Sequence, residues 1–217
     1  MEYRYLTLGK RARAEQIIEK SKFIATVCPV ETREEAEAFF TEIRSEFKDA
    51  THNVPAMVIG EKMQLQWGSD DGEPQGTSGA PIVQLLVNKG ITNAAVMITR
   101  YFGGIKLGTG GLVRAYTSSA ELGIAEAGIV SAVPFVEYSV AVDYSIYNRI
   151  ISYRFPDSFK DNMLMGDAVF GENVSFILSV TREMEGEIKG LLTEISGGNI
   201  SFSEGLERFK LISHKSA

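Results

Sequence analysis

The sequence predicts an α+β protein of two domains, on three observations. Through the first half, apolar runs of strand type alternate with amphipathic helical stripes. After Gly128 the pattern restarts and reads strand, helix, strand, strand, helix, strand, the order of a ferredoxin-like βαββαβ unit. At 217 residues the chain is long enough for two modest cores. The boundary falls near Ala132-Val133-Pro134, giving domains 1–132 and 133–217 with no low-complexity linker between them.

Residues 22–30 are the first clear strand. Residues 32–47 follow as a helix, with Ala36, Phe39, Phe40, Ile43 and Phe47 on one stripe and Thr32 with Glu35 as a capping box. Residues 54–60 and 63–67 read as a strand pair around a short turn, with Trp67 in the core. A short helix over 78–89 is apolar on most sides, hence buried, and stops at Gly90. The continuous apolar run 94–101 is a buried strand, and a helix starting at Thr109 or Gly110 runs to about residue 127. In the second half, 135–142 alternates as a strand and Asp143 caps a helix reaching about residue 154. Residues 163–170 and 174–180 form strands joined by Gly171-Glu172-Asn173, and Thr181 caps a helix that ends at Gly197-Gly198. Residues 200–211 supply the last strand.

Composition is that of an ordinary globular protein. There is no basic-then-apolar leader and no apolar run near the roughly 18 residues of a membrane span, so neither membrane nor export is expected. The single cysteine, Cys28, rules out an internal disulfide and reads as a buried structural thiol, which makes the cytoplasm the expected compartment. A net charge of −6 argues against a general nucleic-acid binder. Yet residues 74–120 contain no acid, while Lys89, Arg100, Lys106 and Arg114 stand there as four cations. A basic island in an acidic chain has the size of a site.

Two loops could carry chemistry. The first is Asp70-Asp71-Gly72-Glu73-Pro74-Gln75-Gly76-Thr77-Ser78-Gly79. Its carboxylates Asp70, Asp71 and Glu73 either hold a divalent cation or shape a turn. The spacing matches no calcium loop, and no His or Cys stands nearby to complete a transition-metal set, so no metal is expected. Thr77 and Ser78 lack nucleophile-elbow spacing, and Ser78 reads as a helix cap. The second loop runs from Arg100 to Gly111 between a buried strand and a helix, the setting of a phosphate cradle. Gly103 and Gly108 have P-loop spacing, but Thr109-Gly110 replaces the Lys-Ser/Thr pair. Gly108 and Gly110 open a dinucleotide fingerprint that Val113 breaks. ATP and NAD chemistry therefore drop out, and no cofactor is expected. What remains is a helix start rich in glycine, with Arg100, Lys106 and Arg114 as cations. At 100° per residue, Val113, Tyr116, Ala120, Ile124 and Ala127 cluster within about 80°, and Arg114 points roughly 120° away, onto an open face. His52 has no recognisable nucleophile partner and reads as structural.

Three segments together resemble a known family: Lys20-Ser21-Lys22-Phe23-Ile24-Ala25; Asp70 to Pro74 with Gly76 to Gly79; and Arg100-Tyr101-Phe102-Gly103-Gly104 through Gly111-Leu112-Val113-Arg114-Ala115-Tyr116. They look like the Impact/YigZ family in its bacterial two-domain form. The resemblance implies a ribosomal-protein-like N-terminal βα domain, similar to one in elongation factor G, and a C-terminal domain like that factor's last one. Eukaryotic members regulate translation initiation by restraining a nutrient-sensing kinase pathway through protein–protein contact; they carry an additional N-terminal partner-binding domain that this sequence lacks, so that role is not carried over. The expected function is a non-enzymatic, translation-associated regulator touching RNA, the ribosome or a protein of the translation machinery. The contact surface is Arg100, Gly103, Gly104, Lys106, Gly108, Gly110 and Arg114, with His52, Asp71, Glu73, Thr77 and Ser78 beside it. The alternative is a metal-assisted enzyme on a small phosphorylated or nucleotide substrate, with Asp70, Asp71 and Glu73 as ligands. Oligomeric state is not encoded in any motif.

Overall fold

A computed structural model of the protein describes residues 5–213, in two compact units, Tyr5–Ser131 and Ala132–Ile212. The chain is a mixture of sheets and helices in both units, as the patterning leads one to expect.

The first unit contains β1 (Tyr5–Leu8), β2 (Ala12–Ile18), β3 (Ser21–Pro29), α1 (Arg33–Glu46), β4 (His52–Ile59), β5 (Leu65–Gly68), α2 (Gly79–Asn88), β6 (Ala94–Tyr101) and α3 (Gly108–Ala127). Five of these strands form an antiparallel sheet in the order β2-β3-β6-β4-β5. As the middle strand, β6 is buried on both faces, which is why its sequence is apolar without alternation. Ala94, Val96 and Ile98 pack with Ile82 and Leu86 of α2 and with Tyr116, Ala120 and Ile124 of α3. Ala95 and Met97 meet Phe39, Phe40 and Ile43 of α1 on the opposite face. Each such side chain contributes on the order of 1.5–3 kcal/mol of burial.

The ends of α1 follow its sequence. Thr32 Oγ1 accepts from the Glu35 amide at 3.2 Å, and the Glu35 carboxylate accepts from the Glu31 amide at 2.7 Å, one residue upstream of the cap. Gly90 stops α2 at φ +69°. Several expectations are corrected. Ser78 occupies the cap position of α2, but its hydroxyl donates to Asp70, whose carboxylate is the actual cap. The buried stripe of α3 is turned by about one position: Leu112 and Ala115 are buried and Val113 only half-buried, while Arg114 is exposed. Trp67 is 39 % exposed and lies tilted against Phe40 rather than within the core. Cys28 is half-buried, and burial pushes its thiol up. Strand β2, at the sheet edge, escapes the apolar-run criterion because Arg13 and Glu15 fill two of its three exposed positions, with Ile17 at the third.

The second unit takes the continuation of β7 (Ile129–Val142), then α4 (Tyr144–Ser152), β8 (Met163–Met165), β9 (Val169–Phe170), β10 (Val174–Val180), α5 (Glu185–Ser196) and β11 (Ser201–Ser213). Its strands lie in the order β11-β7-β10-β8. Val136, Tyr138, Val140, Phe176 and Leu178 of the sheet pack on Ile146, Ile150, Ile188 and Leu192 of the two helices. Asp143 caps α4 by accepting from the Ile146 amide at 2.9 Å. The strand expected over 163–170 is two short ones: between the pairs Met165–Leu178 and Val169–Ser175, three residues oppose two, a bulge containing Gly166. Thr181 does not cap α5, because its hydroxyl donates to Asn162 Oδ1 at 2.8 Å and the helix begins at Glu185.

Candidate functional site

Sheet register assembles the site. Arg100 lies on the same face of β6 as Ala94, Val96 and Ile98, opposite Phe23 on β3 and His52 on β4. A charged side chain thus ends an apolar row, and the structure supplies its partner from the loop between β5 and α2. Arg100 Nη1 donates to Glu73 Oε1 at 2.5 Å, and the Tyr116 hydroxyl of α3 donates to the same oxygen at 2.7 Å. Arg100 Nη2 reaches Ser21 Oγ at 3.3 Å, and its guanidinium stands over the rings of Phe23 and Phe102 at 5.3 and 5.4 Å. Arg100 is 4 % and Glu73 9 % exposed. Burial, followed by the bond to the Glu73 carboxylate, pushes the Tyr116 hydroxyl far above its ordinary range. Arg100 Nε remains buried with no hydrogen-bond partner among the described residues.

The loop that delivers Glu73 is held by Asp70. One carboxylate oxygen accepts from the amides of Ser78 and Gly79 and from the Ser78 hydroxyl, at 3.0, 2.9 and 2.7 Å; the other accepts from the Gly76 amide at 2.7 Å. Burial raises the Asp70 carboxyl, but these donors outweigh it and hold the group below its usual range. Gly79 must be glycine, since a Cβ there would come 2.7 Å from the Ser69 backbone. Asp71 accepts from the Asn53 amide at 2.6 Å through Oδ2, and its carbonyl stands 2.7 Å from His52 Nδ1. A carbonyl can only accept, so the His52 proton is assigned to Nδ1, leaving Nε2 3.8 Å from Glu73 Oε1.

These groups border a cavity of about 440 Å³ lined by His52, Glu73 and Arg100, by Lys106 and Thr109 near the start of α3, and by apolar groups that include Phe102. The α3 start has Leu107 at the cap position, with no side-chain hydrogen bond to its first amides among the described residues. Gly103 is sterically required, since a Cβ there would fall 2.0 Å from the Lys20 backbone.

Residues 19–124 match the family model described as Impact N-terminal domain. The chain is 35 % identical over 205 residues to the IMPACT family member YvyE of Bacillus subtilis, covering 94 % of this chain and 93 % of that one. The chain belongs to the IMPACT family. An IMPACT family member of Haemophilus influenzae is 32 % identical over 205 residues, covering 90 % and 94 % of the two chains. A solved structure described as that of a hypothetical protein covers both chains fully at 26 % identity, with a TM-score of 0.58.

Of the residues singled out from sequence, this IMPACT chain brings His52, Glu73, Arg100, Lys106 and Gly108 to the cavity. Lys106 and Arg114 are exposed, but Arg114 is not among the lining residues. Arg100 is not the surface cation expected, because Glu73 and Ser21 hold it inside. Gly103, Gly104 and Gly110 lie outside the lining, and Thr77 and Ser78 are buried behind the Asp70 loop. The alternative metal set does not assemble. Asp70, Asp71 and Glu73 each serve different donors, and no group of three or more metal-ligating side chains converges among the described residues. Among the described residues no helix is long and apolar enough to cross a membrane. Sequence reasoning placed Tyr116 only in the core and passed over Ser21, Thr51 and Phe102 as site residues. For Tyr116 a signal existed: a buried arginine at the end of an apolar strand needs a carboxylate acceptor, and a tyrosine in the facing stripe is one of the few core residues able to donate to that carboxylate beside it.

Proposed function

We propose that this protein is a non-enzymatic, translation-associated regulator of the cytoplasm that contacts the phosphates of RNA or the ribosome through the surface at the start of α3. The observation that carries the reading is the exposure of Lys106 and Arg114 on either side of a helix start whose first amides no side chain among the described residues caps. They belong to the one long stretch of the sequence without an acid, so phosphate is drawn to this end of an otherwise acidic chain. The strand order of the second unit, β11-β7-β10-β8 with two helices on its core, supports a ferredoxin-like domain. With it goes the expected kinship of both domains to those of elongation factor G.

Co-sedimentation of the purified protein with ribosomes at low and moderate salt tests the reading. Wild type is expected to bind in a salt-sensitive manner. Lys106→Ala with Arg114→Ala weakens binding and flattens the dependence of log K on log salt by about one per residue removed. Binding that is unchanged in the double variant overturns the placement of the surface, and no binding at either salt overturns the ribosome.

A further inference from the structure

We infer that the cavity beside α3 is a receptor for one nucleoside monophosphate unit, with its phosphate at the α3 amides and its base against Phe102. The inference rests on the phosphate-contacting reading above and gives it a chemically defined ligand.

Four observations converge. The first is charge: among the residues lining the cavity, Arg100 and Lys106 face a single carboxylate, Glu73, so the walls keep a positive excess. The second is an unmet donor. Arg100 is 96 % buried and fixed by Glu73, Ser21 and two aromatic rings, yet its Nε has no partner among the described residues. A buried guanidinium N–H is costly to leave unserved, and the residue that carries it is one of those lining the cavity. The third is the helix start. Gly108 and Thr109 line the cavity, and the amides of the first turn have no side-chain cap. Gly110 in that turn lies outside the left-handed region, and a Cβ there would meet nothing within 4 Å. Neither backbone conformation nor packing asks for glycine at that point, and its bareness keeps the amides reachable.

The fourth observation selects the rest of the ligand. A volume of about 440 Å³ far exceeds an inorganic phosphate and sits within the roughly 300–1,000 Å³ of small-molecule pockets. Pro74, Phe102, Leu107 and Leu112 supply the apolar part of the lining. Phe102 is 46 % exposed although the Arg100 guanidinium stands over its ring, so aromatic surface is left for stacking. An anion with a flat apolar body, flanked by hydroxyls for Thr51 and Thr109, fits these walls; a nucleotide has all three parts. His52 completes the polar side: its Nδ1 proton is committed to the Asp71 carbonyl, so Nε2 is left for a ligand hydroxyl.

The ligand's two sources, a free nucleotide and the phosphorylated end of an RNA strand, share this chemistry. The test is calorimetric titration of the full chain with 5′-AMP, inorganic phosphate, adenosine, and a short oligoribonucleotide with and without a 5′-phosphate. In parallel, the imidazole NMR signals of His52, one of two histidines, are followed. We expect 5′-AMP to bind roughly tenfold or more tighter than phosphate, the advantage that base stacking supplies, and to shift the His52 signals. Phe102→Ala, at an exposed position, removes that advantage while leaving phosphate binding in place, and Lys106→Ala weakens both. A phosphorylated oligonucleotide binding more tightly than 5′-AMP identifies the RNA end as the source; equal or weaker binding identifies the free nucleotide. Binding of phosphate as tight as 5′-AMP, indifferent to Phe102→Ala, overturns the nucleotide, and no binding of any probe with His52 unmoved overturns the cavity. Ribosome co-sedimentation of Phe102→Ala separates the two readings, because the surface made by Lys106 and Arg114 survives that change.

Discussion

Two glutamates, one in each unit, hold the hydroxyl of a buried tyrosine together with cations, and they differ in how far the cations are exposed. Glu73 accepts from Tyr116 and Arg100, and all three are buried. Glu185 accepts from the Tyr138 hydroxyl at 2.5 Å, from Arg182 at 3.0 Å and from Lys189 at 3.3 Å, but the Arg182 side chain is 56 % exposed. Similar donor sets therefore do different jobs. Around Glu185 only the Tyr138 ring is buried; water and salt compete for the Arg182 and Lys189 partners, and the network adds little to a sheet already held by its apolar core. Inside, each charge depends wholly on its neighbours, so Glu73 ties strand, loop and helix together and fixes where the cavity walls stand.

The sharpest way to break this comparison is to remove one buried partner. Arg100→Ala leaves Glu73 buried without its cation and is expected to cost about 3–5 kcal/mol in urea denaturation at neutral pH. A loss no larger than that of Glu185→Gln would mean that burial does not distinguish the two clusters. Next in size is Asp70, which holds the Glu73 loop. Asp70→Ala should cost about 0.5–2 kcal/mol, the range for a lost helix cap. The carboxyl is lower in the folded state than its ordinary value near about 3.9. Its contribution is therefore complete above that value and fades as pH falls through the folded one. The stability gap between wild type and Asp70→Asn should thus narrow below about pH 4 when urea midpoints are followed with pH. Smallest is Glu185→Gln, at under about 1 kcal/mol and shrinking with added salt. Its clearest sign is spectroscopic. Burial, and then the bond to Glu185, push the Tyr138 hydroxyl up to about 12, and NMR titration of labelled tyrosine should show it fall toward the ordinary value near 10 in the variant.

Elements with strong local signals were legible from the chain alone. The stripe of α1 with its Thr32 cap, the apolar run of β6 and the Asp143 cap of α4 all stand where patterning puts them. Reading failed where the deciding partner is distant in sequence. Ser78 looks like a cap because serine caps locally, yet Asp70, eight residues away, takes that part by folding its loop back. Thr181 looks like a cap until Asn162 claims its hydroxyl. The strand at 163–170 looks continuous because a bulge depends on the register of the partner strand as well as on its own residues.

The same division holds for the site. By itself the sequence determined which residues are chemically notable: an acid-free stretch, a helix start built of glycines, a loop of carboxylates, and the motifs by which the family is recognised. Only the tertiary structure decided that Arg100 faces inward to Glu73 while Lys106 and Arg114 face out, and that His52 stands beside Arg100 across the sheet. The reason is physical. Charge and propensity are properties of a residue and its near neighbours, whereas burial and pairing follow from strand register and loop path, which bring Ser21, His52, Glu73, Arg100 and Tyr116 together from five separate segments.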